Sequence, residues 1–170
     1  MAAPKKTEHL TLDEFVTRLP ERAPLIGIDL GTVAIGLALS DIGRRIASPL
    51  TTIAHTKFTA DAKALLAHAA KHGAGGFVLG LPLNMDGSEG PRAQATRAFA
   101  RNLAPLTDLP LLFWDERLST AAVTRTLISA DASRKRRDKV VDKMAAAYIL
   151  QGVLDRLARL PAATPPGRDS

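Results

Sequence analysis

Three acidic positions in this chain stand where a carboxylate needs a reason. Asp29 interrupts the apolar run Leu25-Ile26-Gly27-Ile28, which reads as a buried strand. Asp115 and Glu116 close a second apolar run, Leu109 to Trp114, and Asp142 lies in the first turns of an alanine-rich helix. A carboxylate inside a buried strand is costly unless something meets its charge. Residues this far apart can converge in an α/β domain, where strand ends lie side by side and a helix packs across them. Ala145, Ala146 and Ala147 are small enough to let that helix approach the sheet closely. Converging carboxylates repel one another unless cations lie between them, and oxygen-only ligands favour hard cations, Mg²⁺ or Mn²⁺. Two such ions can activate a water and stabilise the leaving oxygen of a phosphodiester. Each acid also has an ordinary reading. Asp29 could reach water at an edge, Glu116 could pair with Arg117, and Asp142 could serve the helix dipole. Singly, Glu116 and Asp142 favour those readings and Asp29 is evenly balanced; as a set they lean towards chemistry.

A second signal lies just before Asp142. Arg134, Lys135, Arg136, Arg137 and Lys139 make a basic run in a charged connection over 130–138, with Lys143 beyond it. In isolation this is a solvated linker; beside the carboxylates it reads as a mobile phosphate-binding loop. The formal net charge of +6 and a pI near 10.1 also suit a polyanionic partner. The stretch 81–88 contains Asn84, Asp86 and Ser88 and follows a short buried strand, where loops of α/β sheets line ligand sites. Those residues equally suit turns. His68 and His72 have a zinc-compatible spacing but no third ligand, and they read as a solvent-facing pair. His9 and His55 are unremarkable. There is no cysteine, which excludes thiolate catalysis and cysteine zinc sites and permits a reducing cytoplasm. Aromatics at 4% argue against a broad base-stacking surface.

The positioning elements follow from pattern. Residues 1–23 read as a peripheral N-terminal extension with a short helix over 12–18, begun by the capping-box spacing of Thr11 and Glu14. Pro20 and Pro24 precede strands at 25–30, 33–39 and 46–53, with a tight hairpin at Gly31-Thr32 and an edge position for the strand carrying Pro49. A helix over 59–71, a strand at 77–80, a helix from Pro91 to Leu103 and a strand at 109–114 come next. Ser119 can cap a helix to about 129, and a last helix runs from Val140 to about Leu160. Residues 24–160 form the domain, and the tail at 161–170 reads as disordered. Three hairpin-like strands followed by strand–helix alternation give an α/β fold: a five-stranded mixed sheet with helices on both faces. No apolar run has the length of a membrane span, and the first residues lack a signal-peptide core, so a cytoplasmic protein is expected.

The segment Gly27–Thr32 resembles the phosphate hairpin of actin-like ATPases and sugar kinases. Those proteins need two such domains, and 170 residues provide one. A more specific resemblance rests on four segments in order: GIDLGTVAIGLALSD (27–41), GLPLNMDGSEGPRA (80–93), WDERLSTAAV (114–123) and KVVDKMAAAYIL (139–150). Together they resemble the YqgF (RuvX) family, RuvC-like proteins of the ribonuclease H superfamily. The resemblance implies a ribonuclease H-like fold and a divalent-metal nuclease site. It carries Asp29 onto the first-strand aspartate, Glu116 onto the acid of the DER motif and Asp142 onto the acid before the alanine-rich helix. RuvC-type sites use four carboxylates, and Asp115 is the neighbouring candidate for the fourth. The implied role is trimming the 5′ end of the 16S rRNA precursor in ribosome maturation. The substrate backbone would be held by Asn84, Arg134, Lys135, Arg136, Arg137 and Lys139. The alternatives are a Holliday junction resolvase acting on branched DNA as a dimer, and a non-catalytic nucleic-acid-binding or transcription factor. A monomer or a homodimer fits the first reading.

Overall fold

A computed structural model describes residues 10–118 and 134–160, with side chains from 10–118 and 143–160. The elements run α1 (Leu12–Arg18), β1 (Leu25–Leu30), β2 (Ala34–Ser40), β3 (Ala47–Ala54), α2 (Phe58–His72), β4 (Gly76–Leu81), α3 (Pro91–Leu103), β5 (Leu111–Asp115) and α4 (Arg134–Ala158). The helix expected from Ser119 and the tail at 161–170 lie outside the described residues.

The five strands form one sheet in the order β3-β2-β1-β4-β5. β1 pairs antiparallel with β2, and β2 with β3, while β1–β4 and β4–β5 are parallel. The hairpin at Gly31 closes with its N–H on the Ala34 carbonyl, 3.0 Å away. β3 is an edge strand, where the missing N–H of Pro49 costs no ladder bond; the register shifts at Leu37/Ala38, opposite it. Connections between parallel strands need a crossover, so α2 and α3 cover one face of the sheet and α4 covers the other.

Strand alternation divides the core between those faces. Ile26, Ile28, Ile35, Leu37, Phe77 and Leu79 pack with α2 and α3. Leu25, Ala38, Val78 and Leu112 face Ala145, Ala146, Ile149, Leu150 and Val153 of α4. Three glycines let α4 cross close to the strands. A Cβ on Gly27 would stand 2.8 Å from the Ala146 carbonyl oxygen and 2.8 Å from Leu150 Cβ. One on Gly80 would stand 2.4 Å from Ile149 Cδ1, and one on Gly152 would stand 2.9 Å from Trp114 Nε1. At the β3 edge, Gln151 accepts from the Ala47 N–H at 2.8 Å and donates to the Arg45 carbonyl at 3.0 Å.

Two expectations are corrected. The segment 10–23 is not peripheral: Phe15 is fully buried in the core beneath α4 and packs, with Leu19, against Gly76 at the start of β4. Thr11 does cap α1, accepting from the Glu14 N–H at 3.2 Å. The last helix begins at Arg134 rather than Val140, so the basic residues 134–137 and 139 are helical and not a loop. Lys and Arg are good helix formers, and neither Gly nor Pro interrupts 134–151. The helix runs from the end of the sheet where β1, β4 and β5 finish to the end where they start. There Leu157, Ala158 and Leu160 meet Val16 and Leu19 of the N-terminal segment around a cavity. Among the described residues, no helix is long and apolar enough to cross a membrane.

Candidate active site

Asp29 is the third residue of a row on β1, after Leu25 and Gly27, that faces α4. It is 1% exposed. The parallel register pairs Ile28 with Leu79, and continuing it by one residue sets Gly80 beside Asp29. Gly80 in turn pairs with Trp114 on β5. Glu116 follows β5 in a short 3-10 turn and is 5% exposed. Its Oε1 stands 2.8 Å from where a Cβ on Gly80 would be. The glutamate therefore reaches from β5 over β4, and one strand spacing, about 4.8 Å, separates that position from β1. Two buried carboxylates thus share one face at the same strand ends, with a glycine between them that supplies no side chain.

Asp142 lies in α4, three residues before Ala145 and four before Ala146. Both alanines are buried, and Ala146 overlies Gly27. One turn back along the helix, about 5.4 Å, is two residues further along β1, the level of Asp29. The side chain of Asp142 lies outside the described residues, as do those of Arg134, Lys135, Arg136, Arg137 and Lys139. Among the described residues, no three His, Cys, Asp or Glu side chains group closely enough to hold a metal ion.

Asp115 has a different task from Glu116. Its carboxylate accepts from Arg117 Nε at 3.0 and 3.1 Å, from Nη2 at 2.7 Å and from the Arg117 backbone N–H at 2.9 Å. The arginine expected as a partner for Glu116 is therefore engaged by its neighbour. The Arg117 hydrogen bonds hold the Asp115 carboxyl below the usual carboxylate range, and Asp115 in turn pushes the Arg117 guanidinium up. Alternation along β5 sets Asp115 with Leu111 and Phe113, on the α2–α3 side.

Asn84 lies in a closed turn across which Leu83 and Glu89 form an isolated bridge. The Asn84 N–H donates to the Ser88 carbonyl at 2.9 Å, and its amide nitrogen donates to Ser88 Oγ at 3.0 Å. Asp86 accepts from the Ser88 N–H at 2.9 Å and from Ser88 Oγ at 2.6 Å, bonds that lower its pKa. Met85 projects from this turn almost fully exposed.

One pair escaped the sequence reading. His55 Nδ1 meets Asp61 Oδ2 at 2.6 Å, and the buried Asp61 also accepts from the Thr56 N–H at 3.1 Å. The His55 N–H donates to the Val33 carbonyl at 2.9 Å, so the pair braces the turn that follows Asp29. Nothing in a lone histidine six residues before an aspartate signals this.

Comparison with known proteins agrees with the architecture. A family profile described as "RuvX: Holliday junction resolvase" matches residues 23–156. A protein of Methylocella silvestris named "Putative pre-16S rRNA nuclease" is 62% identical over 155 residues, spanning 91% of this chain and 96% of its own. One of the same name from Beijerinckia indica subsp. indica is 64% identical over 152 residues, spanning 89% and 92%. Among solved structures, T. thermophilus RuvC in complex with Holliday junction substrate superposes with a TM-score of 0.51 over 81% of this chain and 97% of that one. At 11% identity that likeness speaks for the fold: the sheet and helices are those of a RuvC-like, ribonuclease H-like protein.

Proposed function

This chain belongs to the RuvX family, and from that membership we propose that it is a divalent-metal-dependent nuclease that hydrolyses phosphodiester bonds at the 5′ end of the 16S rRNA precursor. The observation that supports the reading is the burial of Asp29 and Glu116 on one face, each beside Gly80. A methyl group there would occupy the space beside Glu116 Oε1. The donors are all carboxylate oxygens, the set that hard cations take. Asp29 and Glu116 would hold Mg²⁺ or Mn²⁺, with Asp142 as the third ligand; its place one turn before Ala145 and Ala146 supports that role. Such a cation, when bound, supplies Lewis acidity and neutralises charge in phosphodiester hydrolysis.

The residues of the chain do the rest. Burial under α4 fixes the two carboxylates and keeps bulk water from screening them. The helical segment 134–141 carries Arg134, Lys135, Arg136, Arg137 and Lys139 about 12 Å beyond the turn of Asp142, at 1.5 Å per residue. This basic arm holds the RNA backbone by displacing its counterions. Asn84 helps to shape the turn beside the site. Asp115, engaged by Arg117, supports the site from outside the ligand set. Acting on a ribosomal precursor, the protein works in the cytoplasm.

The test is incubation with precursor 16S rRNA and with a synthetic four-way DNA junction, with and without Mn²⁺, beside Asp29→Asn. The expected result is metal-dependent cleavage of the RNA, lost by about a hundredfold or more in the variant, with fold and RNA binding retained. Unchanged cleavage by a clean Asp29→Asn preparation would sink the mechanism. Paired symmetric cuts in the junction by a dimer would favour the resolvase reading, which has the wording of the family description behind it. Metal-independent binding without cleavage of either substrate would leave a binding protein.

A further inference from the structure

The residues on either side of Glu116 form a fastening that the metal reading leaves out. Arg117 is gripped by Asp115 through Nε and Nη2, which fixes the guanidinium plane. Its Nη1 then donates to the Met85 carbonyl at 3.3 Å, at the tip of the turn 83–89. Gly87, at φ +86°, lies alongside: a Cβ there would stand 3.7 Å from Arg117 Nη1. The returning limb of the same turn is held by a second arginine. Arg97 of α3 pairs with Glu89, and its guanidinium lies 5.1 Å over the Phe113 ring. Phe113 and Asp115 are alternate residues of β5, so one row of that strand holds both limbs of the turn through two arginines. Ser88 donates to Asp86 through its N–H and hydroxyl and accepts from the Asn84 amide, which closes the turn on itself.

We propose that Asp115 and Arg117 are positioning residues that fasten the turn 83–89 as a fixed wall of the active-site mouth, against which the nucleic-acid backbone is seated. This rests on the nuclease reading above. Glu116 faces the reacting side while its two neighbours hold the wall, so one triplet sets both the acid and the seat.

The test combines Arg117→Ala, Arg117→Lys and Asp115→Asn with amide exchange and steady-state cleavage. In Arg117→Ala, protection of the Asn84, Gly87 and Ser88 amides falls about tenfold or more, while core amides of β1 and β4 keep theirs. KM rises about five- to tenfold, and kcat changes far less. Arg117→Lys gives intermediate values, because an ammonium can pair with Asp115 but cannot grip it at two points and reach Met85 at once. Asp115→Asn moves the same readouts in the same direction and preserves side-chain shape should Arg117→Ala fold poorly. Arg101→Ala, exposed on α3, leaves all of them unchanged. Unchanged protection of the turn overturns the fastening. Lost protection with KM unaltered overturns the seating, and a collapse of kcat at constant KM assigns Arg117 to the chemistry instead. A wild-type protein that neither binds nor cleaves nucleic acid defeats the nuclease reading, and amide exchange then still decides the fastening.

Discussion

At the scale of single residues, the site depends on an absent side chain. Gly80 stands beside Asp29 in the sheet, and its Cβ position lies 2.4 Å from Ile149 Cδ1 and 2.8 Å from Glu116 Oε1. Gly80→Ala must therefore displace the glutamate or the isoleucine. The expected cost is about 1–3 kcal/mol of stability, read by urea unfolding. Cleavage should fall at least about tenfold, because the displaced group is a proposed ligand. A variant with full activity would place Glu116 outside the chemistry. Sequence reasoning found Asp29 and Glu116 because a carboxylate in or just after an apolar run is an anomaly that physics must explain. It kept Asp115 beside them as a candidate fourth ligand, since two adjacent acids look alike on paper. What separates them is the alternation of faces along β5 and the two-point grip of Arg117, and neither shows in a string of letters. The His55–Asp61 pair was hidden for the same reason: its partners meet only once α2 folds back on β3.

At the scale of elements, α4 is the piece that carries Asp142, the proposed third ligand. Its approach is set by Gly27, whose nearest neighbours would be a backbone oxygen and Leu150 Cβ, both at 2.8 Å. A carbonyl of a packed helix has little freedom to give. Gly27→Ala is expected to push the start of α4 away from β1, costing about 1–3 kcal/mol or more in chemical unfolding. Cleavage should fall even though no acid is touched, and metal affinity measured by calorimetry should fall with it. Retained metal affinity would show that the Asp142 region does not depend on this approach. The strands, their mixed sheet and the helix on Pro91 were legible from hydrophobic runs and turn residues, whereas the strand order came only with the structure. The start of α4 was not. A run of cations reads as a solvated linker, yet Lys and Arg hold helical conformation well when no breaker intervenes.

At the scale of the whole molecule, the proposed site and the anchorage of the N-terminal segment occupy opposite ends of the sheet. Asp29, Gly80 and Glu116 lie where β1, β4 and β5 finish. Phe15 and Leu19 pack where β4 starts, near the last turns of α4. The seven-residue α1 reads as peripheral in sequence because nothing in its pattern says what its apolar side meets. Phe15 is 0% exposed, and Phe15→Ala should cost about 3–5 kcal/mol, seen as a lower midpoint in thermal and urea unfolding. The cleavage rate per folded molecule should stay near that of the wild type; a large loss of rate with little loss of stability would contradict this division. The same polarity has a practical side. Leu12–Arg18 and the last turn of α4 both lie away from Asp29 and Glu116. A label placed on an exposed residue there, such as Arg18 or Arg159, can therefore fix the molecule to a sensor chip and leave the proposed mouth facing the solution.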